Sequence, residues 1–309
     1  MKKFLKLLNY RFHFSVIEVF VFAGVIVVFS FSTFNDSKNS DEKLFPQEYR
    51  ITSPVIPDNP EFCDEPVPLE DFEVRERMDR DLISNTYWHS STLMWIKRAN
   101  KWFPVIEPIL KKYNIPDDFK YLSVIESDLS NSVSPVGATG FWQFMEPSAI
   151  SYGLTINEEV DERYHVEKAT EAACKYLKDS YEYFGNWTLS AASYNTGQGG
   201  VQKRLTDQKT TFFYDLLLNQ ETSRFVFRIL AAKYILSNPR KYGYDVKDEE
   251  LYKQIETYPV TVDYSITDLA EWAKNQGVSY KILKYFNPWL RQNKLTIKNG
   301  EKYTIRLPV

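Results

Sequence analysis

Three short segments hold the residues whose types and spacing could do chemistry. The first is Phe119-Lys120-Tyr121-Leu122-Ser123-Val124-Ile125-Glu126-Ser127. On a helix, Glu126 shares a face with Leu122, Phe119 and Leu129, because residues three, four and seven apart stack on one side. A carboxylate inside an apolar stripe loses hydration, which disfavours its charged form and raises its pKa toward neutrality, where a general acid works. Asp128 points to another face, so the helix presents one carboxylate and not a pair. Glu126 taken alone also fits a buried glutamate held by a structural partner, or one at a bundle edge facing water.

The second segment, Ser134-Pro135-Val136-Gly137-Ala138-Thr139-Gly140-Phe141-Trp142-Gln143-Phe144-Met145, is a glycine-punctuated loop leading into aromatics and one amide. Glycines let backbone approach a ligand closely, and Gln143 can both donate to and accept from hydroxyl and acetamido groups. The third, Ala191-Ala192-Ser193-Tyr194-Asn195-Thr196-Gly197-Gln198-Gly199-Gly200-Val201, reads as a helix end running into a glycine turn at Gly199-Gly200. It offers a phenol and an amide where the helix stops, and the same pair also fits cap chemistry.

The elements that must position these segments are helical. Apolar periodicity begins at Phe72, Val74 and Met78, continues through Leu93, Ile96 and Trp102, and starts a further run (Val105, Ile106, Ile109, Leu110) after Pro104. More helices are expected over 117–128, 170–184, 188–195 and 225–237. The tail changes character. Val260-Thr261-Val262 alternates like a strand, Ser265 and Asp268 suggest a capping box, a short helix over 279–286 stops at Asn287-Pro288, and Tyr303, Ile305 and Leu307 alternate again. The fold class is therefore mainly α, with a small β-α-α-β C-terminal module.

Composition narrows the function classes. Among 309 residues, 43% are hydrophobic and 26% charged, the pattern of a globular chain rather than a disordered or multi-span one. The net charge of −3, without a long basic run, argues against nucleic acid as a partner. Cys63 and Cys174 and three scattered histidines form no metal-ligand spacing, so no cofactor is expected. The two cysteines could bridge in an oxidising compartment, although Cys174, in an alanine-rich helical run, reads better as a small buried thiol.

The N-terminus carries Lys2, Lys3, Lys6 and Arg11 ahead of an apolar stretch reaching Phe34. Residues 1–35 read as a membrane anchor or uncleaved signal, N-terminus inside, and Glu18 at the cytoplasmic end weakens that reading without reversing it. A proline-rich stretch over 36–70 reads as a semi-extended tether to the body.

In this order and spacing, Glu126-Ser127, then Gly140-Phe141-Trp142-Gln143-Phe144-Met145, then Ala191 to Gly197 resemble the three signature motifs of soluble-lytic-transglycosylase-type domains. Tyr152-Gly153-Leu154, Val160-Asp161-Glu162-Arg163, Ala169 to Ala173 and Tyr176-Leu177-Lys178 resemble the membrane-bound lytic murein transglycosylase D branch of that family. The likeness covers roughly residues 74–204. It implies a lysozyme-like helical catalytic domain over 71–245 that acts on peptidoglycan glycan strands, cutting the β-1,4 bond between N-acetylmuramic acid and N-acetylglucosamine without water to leave a 1,6-anhydromuramyl end. By position, Glu126 matches the single catalytic acid/base. Tyr194 would hydrogen-bond and orient it, and Ser127, Gln143, Met145 and Asn195 would line the sugar subsites. After Met145 the family has Pro, a small residue, then Thr; Glu146-Pro147-Ser148 stands here, and Glu146 reads as a solvated helix-start residue.

The tail, residues 255–309, resembles a LysM module, with Asp263-Tyr264-Ser265 in place of the usual Gly-Asp-Thr turn; the same tail also reads as a structural domain that packs on the catalytic body. The resemblance also implies a cell-envelope location, membrane-anchored with the catalytic domain facing the periplasm. Two other readings remain open on the same scaffold: a goose-type lysozyme-like hydrolase using water, and a non-catalytic peptidoglycan-binding scaffold.

Overall fold

The computed structural model describes residues 51–298 and 300–309; the expected N-terminal anchor and the first part of the proline-rich stretch lie outside these residues. Residues 53–309 form one compact unit. Helix α1 (Phe72–Tyr87) starts at Asp71, whose carboxylate accepts from the Glu73 amide, and buries Val74, Met78 and Leu82. Helix α2 (His89–Lys112) runs unbroken through Pro104 and Pro108, where the sequence suggested a fresh start. Asn100, Pro104 and Pro108 all lie on the solvent face, so the carbonyls that lose their helical donors reach water instead.

A 3-10 turn, Asp117–Phe119, leads into α3 (Lys120–Ser127). Helix α4 (Glu146–Ser151) follows the glycine loop, with α5 at Val166–Phe184, α6 at Trp187–Thr196, α7 at Gln198–Gln208 and α8 at Gln220–Ser237. The expected helices are present, α5 and α8 each starting about one turn earlier than the apolar pattern suggested. The glycine turn is displaced: Gly199 and Gly200 lie inside α7, and the chain reverses at Gly197, φ +79°. Gly200 packs on Thr196, where an added Cβ would meet the hydroxyl at 3.0 Å; close helix approach, not a turn, uses that glycine.

Helix α8 is the central rod. Phe225, Val226, Phe227, Ile229, Leu230, Ala231, Ala232 and Ile235 are buried round its whole circumference, and α1, α3 and α6 pack against it. A helix that is apolar apart from one charged stripe has to sit inside a bundle.

The end of the proline-rich stretch is not a free tether. Glu61–Phe62 and Glu65–Pro66 form a two-stranded hairpin, β1 and β2. Phe62 is fully buried edge-on to Phe119. The Glu65 carboxylate accepts from the Trp187 and Thr188 amides and the Thr188 hydroxyl, capping α6. Cys63 and Cys174 are both free and buried; burial pushes the Cys174 thiol up to about 12 and raises that of Cys63 as well.

In the tail, β3 (Thr257–Val262) pairs antiparallel with β4 (Tyr303–Pro308), Val260 opposite Ile305, and α9 (Leu269–Asn275) and α10 (Tyr280–Phe286) complete the β-α-α-β order. The expected Ser265–Asp268 capping box is not formed. Asp268 is itself the N-cap, accepting from the Ala270 and Glu271 amides. Ser265 instead accepts from the Ile297 amide, tying two loops together. The module has its own core of Val262, Leu269, Leu283, Trp289, Leu290, Ile305 and Leu307, and Val160 of the helical body completes it.

Candidate active site

Glu126 stands one residue before the C-terminus of α3, with Leu122, Phe119 and Leu129 of its stripe buried beneath it. The helix ends because Asp128 and Leu129 both adopt left-handed backbone, φ +54° and +52°. Hydrogen bonds to Asp128 and burial of the Leu129 side chain offset the strain of two such non-glycine residues. The Asp128 carboxylate accepts from the Trp95 indole at 2.5 Å and the Ser91 hydroxyl at 3.3 Å, and Arg98 holds its carbonyl. Asp128 is thus structural, and Glu126 is the one carboxylate the helix offers the site, as its spacing implied.

No hydrogen bond to the Glu126 carboxylate is found among the described residues. Burial, the dominant influence, pushes its pKa up to about 7; the Arg228 guanidinium pulls it down and the Glu221 carboxylate pushes it further up. A carboxyl group poised there is protonated and deprotonated in comparable amounts near neutral pH, which suits a group that gives and then takes a proton.

Tyr194, on α6, spends its proton away from Glu126, while its oxygen keeps its capacity to accept one. Its hydroxyl donates to the carbonyl of Trp142 at 2.8 Å, and a phenol has a single proton to give. Its pKa is raised first by burial and next by the nearby Glu126 charge. The rings of Phe144 and Tyr176 pack edge-on to it. Ser127 departs similarly: its buried hydroxyl faces the carbonyls of Ser123 and Phe141, at 3.1 and 2.9 Å. Both side chains therefore fasten the glycine loop to helices flanking Glu126 and have no proton left for a sugar.

The loop is held at one carbonyl after another. Besides Phe141 and Trp142, the Gly137 and Phe144 carbonyls accept from the Arg163 guanidinium, and the Trp142 indole donates to Thr170 of α5. Gly140, φ +84°, lies so close to the segment beneath that an added Cβ would overlap the Arg163 carbonyl oxygen. Gln143, itself left-handed at φ +48°, commits its amide nitrogen to Gly140 and Ser132, leaving Oε1 with no partner among the described residues. Met145 is exposed at the start of α4. Glu146 sits in the first turn of that helix and is exposed, as expected of a helix-start carboxylate.

Asn195 donates to Glu221 at 3.1 Å and accepts from Thr222 at 2.8 Å. Glu221 and Arg228, the two charges that tune Glu126, come from α8 and were missed in the sequence. Their signal was present: Glu221, Arg224 and Arg228 stand three and four apart, a charged stripe on an otherwise apolar helix. Arg224 pairs with the buried Asp81, and Arg228 reaches the Ile125 carbonyl at 2.8 Å, beside Glu126. Arg163 stands in the sequence only as the last residue of the Val160–Arg163 motif.

The arrangement is a single carboxyl group of raised pKa beside an aromatic loop rich in fixed carbonyls, suited to giving and taking one proton. Comparison with known proteins identifies the domains. Residues 104–216 match the transglycosylase SLT domain family, and residues 258–309 match the soluble lytic transglycosylase C-terminal LysM-like domain. The chain carries an SLT-type transglycosylase domain followed by a LysM-like domain, and all six expected site residues fall in the first.

It is 30% identical over 242 residues to membrane-bound lytic murein transglycosylase D of Escherichia coli (strain K12), covering 76% of this chain and 52% of that one. The chain spans about half the length of this relative. Among solved structures, the 70 kDa soluble lytic transglycosylase SLT70 of Escherichia coli aligns with 50% of this chain and 27% of its own, at 22% identity and a TM-score of 0.39. The lytic transglycosylase Slt of Pseudomonas aeruginosa aligns with 60% of this chain and 36% of its own, at 20% identity and a TM-score of 0.36.

Proposed function

We propose that this protein is a peptidoglycan lytic transglycosylase that cleaves the β-1,4 bond between N-acetylmuramic acid and N-acetylglucosamine, with Glu126 as its single general acid/base. The observation carrying the proposal is the solitary Glu126 carboxyl, its pKa lifted by burial to about 7, inside the matched transglycosylase segment. Protonated Glu126 gives its proton to the glycosidic oxygen as the bond to C1 of the muramyl sugar breaks. The resulting carboxylate then takes the proton of the C6 hydroxyl of the same sugar while that oxygen bonds to C1. Glu126 ends as it began, and no water is consumed.

One carboxylate suffices because the nucleophile belongs to the substrate; bringing the C6 oxygen over C1 is an orientation effect. Oε1 of Gln143, the exposed Met145 and the free amide hydrogen of Asn195 serve the sugar subsites, whereas Ser127 and Tyr194 secure their walls. The catalytic domain spans 71–245 and the LysM-like module 255–309. Residues 1–35 hold the protein to the membrane, with the catalytic domain in the periplasmic space. The name of the Escherichia coli relative supports an envelope location.

Mass spectrometry of muropeptides released from purified sacculi tests the reading. Anhydro-ended products, lighter by one water than lysozyme products, are expected. Hydrated reducing ends would overturn it in favour of hydrolysis, and binding without release in favour of a scaffold.

A further inference from the structure

The C-terminal module is joined to the body by more than side-chain contact. Residues 159–161 of the body pair with residues 289–291 of the module in a short antiparallel ladder: the Asp161 amide donates to the Trp289 carbonyl at 2.9 Å, and the Arg291 amide to the Glu159 carbonyl at 2.7 Å. The Glu159 carboxylate accepts from the Thr296 amide and hydroxyl, at 2.6 and 3.1 Å, and pairs with Lys294. These partners hold its pKa below the ordinary value against a desolvation that would raise it. Val160, between them, is buried in the module's core, His165 stacks on Trp289, and the Arg291 guanidinium lies 4.0 Å over the Tyr164 ring.

The same segment reaches the active site two residues further on. Asp161 takes a fork of two bonds from Arg163, at 3.0 and 2.7 Å. The remaining guanidinium nitrogen of Arg163 spans the glycine loop, donating to the carbonyls of Gly137 and Phe144 at 3.2 and 3.3 Å. That loop bears Gln143 and Met145 and is fastened at Phe141 to Ser127, the residue next to Glu126. The chain of contacts thus runs from the module, through the backbone of Asp161, to Arg163, to the loop.

We propose that Arg163 is a positioning residue for glycan cleavage, clamping the glycine loop beside Glu126, and that the C-terminal module braces this clamp through residues 159–161. The module's loop before β4 is then occupied by the body, so the module is a part of the catalytic unit and not an independent glycan-binding appendage. The proposal concerns the site of the function proposed above and rests on that reading for its kinetic arm only.

The test uses the full chain with two substitutions, Arg163→Lys and Glu159→Ala. Lysine keeps a positive charge beside Asp161 and so preserves the ion pair, but a single ammonium cannot hold Asp161 and both loop carbonyls together. Amide hydrogen exchange is measured first. Gly140, Gln143 and Phe144, whose amides are bonded within the loop, should exchange faster by at least about tenfold in Arg163→Lys, and by a smaller factor in Glu159→Ala. Kinetics on sacculi should then show kcat falling by about tenfold to a hundredfold in Arg163→Lys, with KM changed far less.

Loop exchange that stays at the wild-type rate in a folded Arg163→Lys protein would overturn the clamp. Acceleration at residues 294–297 but not in the loop of Glu159→Ala would overturn the bracing. If Arg163→Lys does not fold, the Asp161→Asn/Arg163→Met double variant, which removes both charges, is read by the same exchange criterion. A wild-type protein that cleaves nothing would sink the proposed function, and the exchange result would still decide the clamp.

Discussion

Replacing Glu126 with glutamine should stabilise the protein in mild alkali, leave its stability unchanged in acid, and abolish cleavage. Burial moves the Glu126 pKa from its ordinary 4.5 to about 7, so the folded state binds this proton more tightly than the unfolded chain does. Below pH 4.5 both states are protonated and the group costs nothing. Between those two values the unfolded chain releases the proton while the folded protein keeps it, so stability falls as pH rises; above about 7 the loss is complete. A difference of about 2.5 units corresponds to about 3 kcal/mol, and partial exposure of the carboxylate to water brings the expected figure to about 2–3 kcal/mol. Glutamine is nearly isosteric and uncharged, so it removes the alkaline penalty while deleting the proton donor. For a body of this size, the melting temperature at pH 8 should rise by about 4–12 °C relative to wild type. Thermal melts of both proteins from pH 4 to 8, beside a sacculus-release assay, supply the data. A melting difference that stays flat across pH 4.5–7 would refute the burial argument, and an active glutamine variant would refute the catalytic one.

Three further outcomes follow from the geometry. Arg228→Met removes the positive charge that lowers the Glu126 pKa, so the alkaline limb of the pH–rate profile should move to higher pH; an unmoved limb would place Arg228 outside the electrostatics of the site. Glu65→Gln weakens the cap on α6 and should lower stability by about 1–2 kcal/mol in urea denaturation, whereas a neutral result would show that the N-cap residue Asn186, whose side chain accepts from the Leu189 amide, alone suffices. Gly140→Ala forces a Cβ onto the Arg163 carbonyl and should cost more than about 3 kcal/mol. Gly137→Ala, equally left-handed but with nothing within 4 Å, should cost only about 1–2 kcal/mol; equal losses would remove the close-approach argument.

Periodicity was enough for the long amphipathic helices, because an amphipathic stripe states both the element and the face it buries, though not for α4 or for α7, whose glycines read as a turn. Glu126 was legible for the same reason, as a carboxylate interrupting the stripe of Leu122, Phe119 and Leu129. So was the β-α-α-β order of the tail, since strand alternation and the Asn287-Pro288 stop are local signals. What periodicity could not supply was the partner of each polar atom. Tyr194 and Ser127 stand where the motif puts them, yet their protons go to the carbonyls of Trp142 and Phe141, because those carbonyls belong to a loop remote in sequence that folding brings alongside. Gly199 and Gly200 read as a turn because glycine permits both a reversal and a close approach, and only the packing of Gly200 on Thr196 selects the second. The prolines from Pro54 to Pro68 gave no sign that Phe62 and Glu65 would be drawn into the body. The pKa of Glu126 and the bracing of its loop were likewise decided in three dimensions. Desolvation, Glu221, Arg228 and Arg163 act through space across α8 and the segment paired with the C-terminal module, and such distances exist only once the chain has folded.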